Sequence, residues 1–160
     1  MQNSYVIAYD FGTSSVKAVV ISMTGKIQGS STAAYPLYES GSGYVEQDPE
    51  EYWQAVIRST RDVMLSGNIA PEQVKAIAFS TQSMGIIPVD KNGKVLHRNI
   101  LWIDGRAEKQ ADYLNNLLSA NLFGAKEVIP KLLWVMQEKP DIYKKTKCFL
   151  DVNGYIKYRA

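Results

Sequence analysis

Two short runs of strand-forming residues open the chain. Tyr5 to Tyr9 and Val16 to Ser22 are apolar and rich in β-branched and aromatic side chains. Between them, Gly12-Thr13-Ser14-Ser15 has the small polar residues of a tight turn. A second turn, Thr24-Gly25-Lys26, leads into Ile27 to Leu37 as a third strand, so this region predicts an antiparallel meander. Gly41-Ser42-Gly43 reads as a flexible loop. After it, Asp48-Pro49-Glu50-Glu51 carries the marks of a helix start: a capping acid, proline at the first helical position, then carboxylates facing the positive end of the dipole. Trp53, Val56, Ile57, Thr60, Val63 and Met64 recur at helical spacing, and the helix is expected to end near Ser66-Gly67-Asn68.

Beyond that helix, strands and helices interleave. Val74 to Ser80 reads as a buried strand and Met84 to Asp90 as its neighbour in the sheet, separated by the polar Thr81-Gln82-Ser83. The Asp90 to Lys94 turn leads through Val95-Leu96 to Asn99-Ile100-Leu101-Trp102. Asp104 is placed to cap a helix over Ala107 to Leu118. Another helical zone follows Pro130, with Leu132, Leu133, Val135 and Met136 as its apolar residues, and a short helix follows Pro140-Asp141. Strands first, then strands and helices in alternation, predict an α/β domain with a mixed central sheet flanked by helices. At 160 residues the chain suits one domain with a sizeable core.

Composition removes several function classes. Eighteen Lys and Arg against sixteen Asp and Glu leave a net charge of +2, too small to argue for a nucleic-acid partner. Lys144, Lys145 and Lys147 read as a solvated face. Cys148 is the single cysteine, so no intrachain disulfide or zinc framework is available. It reads as a small buried side chain rather than a nucleophile. The N-terminus lacks a basic region before its short apolar run, and no stretch is long enough to span a membrane. A cytoplasmic setting without membrane attachment is the expectation.

The segment with most chemistry is Asp10-Phe11-Gly12-Thr13-Ser14-Ser15-Val16-Lys17. An acid ends a strand, glycine allows close backbone approach, three hydroxyls follow, and the turn amides can converge on an anion. Lys17 can balance phosphate charge, and Asp10 suits Mg²⁺, a hard ion that prefers oxygen. This is the equipment a magnesium nucleotide requires, although a plain hairpin with a polar turn would carry the same residues. The P-loop pattern is absent, and so is Gly-x-Gly-x-x-Gly.

The same stretch resembles the first phosphate motif of the FGGY carbohydrate kinases. Further stretches are similar to that family in the same order. They are Tyr44-Val45-Glu46-Gln47-Asp48-Pro49, Gln82-Ser83-Met84-Gly85, Leu101-Trp102-Ile103-Asp104-Gly105-Arg106-Ala107, Pro130-Lys131-Leu132-Leu133-Trp134, and Gly154-Tyr155-Ile156-Lys157-Tyr158-Arg159. The resemblance covers nearly the whole chain. It implies a ribonuclease H-like, actin-like ATPase domain, the N-terminal part of a two-domain enzyme that moves the γ-phosphoryl group of ATP to a sugar or polyol hydroxyl.

Carried over residue by residue, it assigns Gly12, Thr13, Ser14, Ser15 and Lys17 to phosphates, and Asp10 to Mg²⁺. It places substrate contacts around Gln82, Ser83, Met84, Trp102, Asp104 and Arg106. The xylulose kinases read Gln-Met-His-Gly where this chain has Gln82-Ser83-Met84-Gly85, and the glycerol kinases place Arg-Glu at the two positions after the glutamine. Neither pair is present, which disfavours glycerol and counts against xylulose as well. The Trp102-Ile103-Asp104-Gly105-Arg106 stretch nevertheless looks most like the xylulose branch, with Ile103 a departure from the usual Asn, so a xylulose-like sugar is the expected substrate. Each residue also has a structural alternative. Trp102 could be core, Asp104 a helix cap with Arg106 merely its partner, and Gln82 a bond to backbone at a strand end.

The resemblance places the catalytic base and most of the adenine pocket beyond Ala160, so these residues are read as a truncated first domain that is inactive alone. The expected partners are the sugar and the second domain, and a homodimer is compatible with the resemblance. A non-catalytic sugar- or nucleotide-binding module and an actin-like assembly domain are the alternatives.

Overall fold

The computed structural model describes residues 4–41 and 43–160. Ser42, inside the expected flexible loop, and Met1 to Asn3, on which the leader argument rested, lie outside them. The chain divides into two compact units: residues up to Pro36 with Glu50–Gln82, and Leu37–Pro49 with Ser83–Ala160.

The first unit is built on a four-stranded sheet. Strands β1 (Tyr5–Phe11), β2 (Ser15–Ser22) and β3 (Ile27–Ala34) form the expected antiparallel meander, with β3 ending earlier than the sequence suggested. Alternation along β1 and β2 buries Tyr5, Ile7, Tyr9, Phe11, Val16, Ala18 and Val20 on one face. Helix α1 (Pro49–Ser66) starts at the proline, with Glu50 and Glu51 in its first turn. Its buried stripe is Tyr52, Ala55, Val56, Ser59 and Val63. Trp53, Ile57, Thr60 and Met64, expected at the stripe's centre, are only half-buried. The stripe is turned towards Tyr52 because that ring packs edge-on against both Phe11 and Tyr35.

A single-turn helix (Pro71–Gln73) precedes the next strand, Val74–Thr81, which pairs parallel with β1. This strand is one edge of the sheet, opposite β3, and is largely exposed, Ile77 to 54%. The expectation of a buried strand is corrected. Its apolar run reads as core, but among the described residues no strand pairs with its outer side.

In the second unit, β4 (Tyr38–Ser40), β5 (Tyr44–Gln47) and a two-residue strand (Asn99–Ile100) form one small sheet. Ile87–Val89 pairs with Cys148–Leu150 and not with Val74–Thr81, which corrects the expected neighbour relation. Helices α2 (Glu108–Leu118), α3 (Val128–Glu138), α4 (Pro140–Lys145) and α5 (Val152–Arg159) complete the unit. Its core gathers Ile86, Ile100, Ala107, Trp134 and Val135. The buried stripe of α3 is Pro130, Lys131, Trp134 and Val135. Leu132 and Leu133 are half-buried and Met136 is exposed, so the expected apolar stripe is rotated, with a lysine inside it. Cys148 is exposed, contrary to the reading of a buried thiol, and Lys144, Lys145 and Lys147 are exposed as expected. No helix among the described residues is long and apolar enough to cross a membrane.

Candidate functional site

The turn between β1 and β2 is organised from beneath by a residue outside the motif. The Tyr35 hydroxyl lies 2.6 Å from the Gly12 carbonyl oxygen and 2.9 Å from that of Ser15, donating its proton between them. The Tyr35 amide donates to Ser14 O at 3.1 Å, and the Gly12 amide to Ser15 O at 3.0 Å. Three turn carbonyls are thereby drawn towards Tyr35, which is itself buried against Tyr52. Burial, and then the nearby negative charge of Asp10, push its phenol above the usual range, so it stays a donor at any physiological pH.

Around this anchored backbone the chemical groups face outward. Asp10, Gly12, Ser14 and Lys17 are exposed, and Thr13 and Ser15 are half-buried. Asp10 sits opposite Lys17 across the β1–β2 ladder and opposite Ser80 on the parallel strand, so the three occupy one row on one face of the sheet. A Cβ placed on Gly12 would meet only Ser15 O, at 3.6 Å. Protein packing therefore leaves the space above Gly12 open to a ligand. Gln82 follows the edge strand. Its amide donates to Phe11 O at 3.0 Å and its side-chain nitrogen reaches the Tyr52 hydroxyl at 3.4 Å.

Among the described residues, no three His, Cys, Asp or Glu side chains cluster into a protein-only metal cage. One outward carboxylate beside a turn fits Mg²⁺ bound through water and phosphate oxygens, the usual state of that ion in nucleotide sites. A cavity of about 650 Å³ does exist in this unit, lined by Ile7, Met64, Leu65 and Ile69 among others. It contains none of the predicted residues, and its walls are mostly apolar, with Thr60, Arg61 and Asn68 the polar exceptions.

In the second unit, Ser83, Met84 and Trp102 are exposed, the last two to 38% each. Trp102 is therefore no core residue. Met84 adopts φ 57°, a left-handed conformation that costs a non-glycine residue energy. Gly85 next to it leaves no room for a side chain unless Asn99 moves, because a Cβ there would lie 2.6 Å from Asn99 Oδ1.

Asp104 and Arg106 are placed differently. Asp104 is fully buried, and its oxygens accept from the Val45 amide and from the Arg106 amide, Nε and Nη2, at 2.5–3.0 Å. Arg106 Nη2 also donates to Glu46 at 2.7 Å, and the guanidinium lies over the rings of Tyr44 and Trp134. Burial pulls the Arg106 pKa down, but Asp104 and Glu46 outweigh it and the net shift is upward. Asp104 does not cap α2, whose N-cap is Ala107. Both side chains are buried, and the two oxygens of Asp104 are already engaged by protein donors. They form a buried bidentate pair with a third charge at its edge.

Sequence reasoning missed Tyr35 and Glu46 as members of these arrangements. Tyr35 follows a polar strand with nothing local to mark it, whereas Glu46 stood inside a quoted motif without a role.

Residues 5–160 match the model of the FGGY family of carbohydrate kinases, N-terminal domain. The chain is 32% identical over 163 residues to the xylulose kinase of Bacillus subtilis (strain 168), covering 97% of this chain and 32% of that protein. It is 30% identical over 161 residues to the gluconokinase of the same strain, covering 96% and 31%. The structure of a ligand-bound xylulose kinase from Lactobacillus acidophilus superposes with a TM-score of 0.89 at 26% identity, over 98% of this chain and 33% of that one. The chain thus spans about a third of the length of the relatives it matches, and the expected actin-like α/β class is the fold found.

Proposed function

We propose, from the premise that this chain belongs to the FGGY family of carbohydrate kinases as an N-terminal domain, that its protein transfers the γ-phosphoryl group of ATP to a hydroxyl of a xylulose-like sugar. One observation carries this reading. The β1–β2 turn has its carbonyls gathered on Tyr35, while Asp10, Lys17 and the open space over Gly12 face outward. A turn built this way offers positive charge and donors where a phosphate chain would lie.

In this reading Thr13, Ser14 and Ser15 give hydroxyl and amide donors to phosphate oxygens, and Lys17 balances their charge. Asp10 orients the metal's water shell. Bound Mg²⁺ would supply neutralisation of charge on the phosphates. Ser83, Met84 and Trp102 make the sugar-facing wall, with the exposed indole suited to the apolar face of a sugar. Asp104 and Arg106 support that wall from behind. Gln82 is assigned to the sugar as well. The base that takes the hydroxyl proton is placed outside these residues. Asp104 is saturated by donors and Asp10 is assigned to the metal, so neither is free for that task.

The test is a coupled assay of ATP-dependent phosphorylation by the native protein, with D-xylulose, gluconate and glycerol offered in turn. Turnover of xylulose, and little of glycerol, is expected. Preference for gluconate would correct the substrate while leaving the reaction in place. Absence of turnover with all three would overturn the reading.

A further inference from the structure

Lys131 is a buried cation to which the proposed reaction gives no role. It sits on the inner stripe of α3, with no exposed surface. Lysine is rarely buried whole unless its ammonium is partnered. Here Nζ donates to two backbone carbonyls, Leu101 O at 2.7 Å and Met84 O at 2.9 Å, 30 and 47 residues away along the chain. Burial pulls its pKa down to about 8, with Asp104 and Glu127 acting against that pull and Arg106 and Lys126 adding to it. A methionine would fill the same space without desolvating a charge, so packing alone does not account for lysine here.

What the two carbonyls share is the residues attached to them. One belongs to Met84, which is exposed, held at φ 57°, and followed by a glycine pressed against Asn99. The other belongs to the peptide that leads into Trp102, whose indole is exposed. A single nitrogen therefore sets the orientation of two peptide planes, and each plane aims one side chain of the wall. A strained backbone conformation persists only where its surroundings over-determine it, and Lys131 is one of the groups that do so at Met84.

We propose that Lys131 is a positioning residue, its Nζ tying the Met84 and Leu101 peptides together so that Met84 and Trp102 stand preformed for the carbohydrate. The proposal rests on the reading that these two side chains contact the sugar. Affinity follows because a wall held in place before binding spends nothing on ordering itself.

The experiment is steady-state kinetics of the native protein, using whichever of D-xylulose, gluconate or glycerol it phosphorylates. The variants are Lys131→Met, Trp102→Ala and the double variant. Lys131→Met should raise sugar KM about tenfold and ATP KM less than about twofold, a split that general loosening of the fold would not give. In the Trp102→Ala background the same change should cost much less, because residues acting through one another are not additive. If Trp102→Ala raises sugar KM and Lys131→Met does not, or if the two effects simply add, the positioning role is overturned while the wall stands. If Trp102→Ala leaves sugar KM unchanged, the wall itself is wrong and the proposal falls with it. Should Lys131→Met not fold, the unmodified protein labelled with ¹⁵Nζ-lysine gives the answer. The Lys131 signal should move on saturation with sugar and stay in place with ATP alone, and a signal indifferent to sugar overturns the proposal.

Discussion

In the turn after β1 the charged side chains, Asp10 and Lys17, are exposed, and a neutral phenol does the holding. Behind Met84 and Trp102 the arrangement is reversed. The outward residues are an apolar pair, and the charges nearby in the chain are buried: Asp104 paired with Arg106, and Lys131 on the carbonyls of Met84 and Leu101. On the proposed reading, the difference follows from what each region would bind. A phosphate chain needs donors and charge that remain hydrated until the ligand arrives, so its charged groups stay at the surface. A sugar wall needs fixed shape, and buried charge-assisted bonds between distant segments hold that shape with more direction than apolar packing does.

The comparison breaks first at Asp10. Asp10→Ala in the native protein is expected to lower kcat by on the order of 10³-fold, the scale of losing a key electrostatic group, while sugar binding measured by calorimetry stays within about twofold. Activity that survived the change would remove Asp10 from the phosphate site. Asp104→Ala tests the other region. It strands Arg106 beside Glu46 in a buried setting, and urea unfolding should show a loss of about 3–5 kcal/mol. A loss below about 1 kcal/mol would mean the pair is solvated and not structural.

A smaller effect is expected from Tyr35→Phe, which keeps the ring packing against Tyr52 and removes only the shared donor. Leaving two carbonyls without it should cost about 1–2 kcal/mol, seen as a rise of about tenfold in ATP KM with sugar KM unchanged. Equal changes in both would show that Tyr35 serves the fold at large.

The most gradual signal is a pH slope. Lys131 has a folded pKa of about 8 against an ordinary 10.5. Between those values the unfolded chain holds a proton that the folded chain has released, so stability from this group rises with pH across that window. Below pH 8 the buried charge is a penalty carried in full. Denaturant unfolding from pH 7 to 10 should show the rise in the unmodified protein and its loss in Lys131→Met. An unchanged slope in the variant would assign it to other groups.

Much of the first region was legible in the primary structure. The meander, the turn with its acid, glycine and hydroxyls, and the helix beginning at Pro49 all follow from contiguous patterns, because hairpins and helix starts are local events. The edge strand misled because an apolar run looks the same whether or not a neighbour covers it. Partners of Ile87–Val89 were likewise out of reach, since the pairing strand lies about sixty residues later. In the second region, the motif around Trp102 marked a place without revealing which side chains face outward. Asp104 and Trp102 stand two residues apart, and one is buried whole while the other is exposed.

The order of residues by itself determined the family, the residue types of the β1–β2 turn and the local elements, because each rests on groups adjacent in the chain. Only tertiary structure decided that Tyr35 gathers the turn carbonyls, that Asp104 and Arg106 spend their hydrogen bonds on each other, and that Lys131 joins Met84 to Leu101. Each of those joins groups brought together by folding. Whether a charge is buried and what it touches is settled by three-dimensional neighbours, and those have no fixed spacing in sequence.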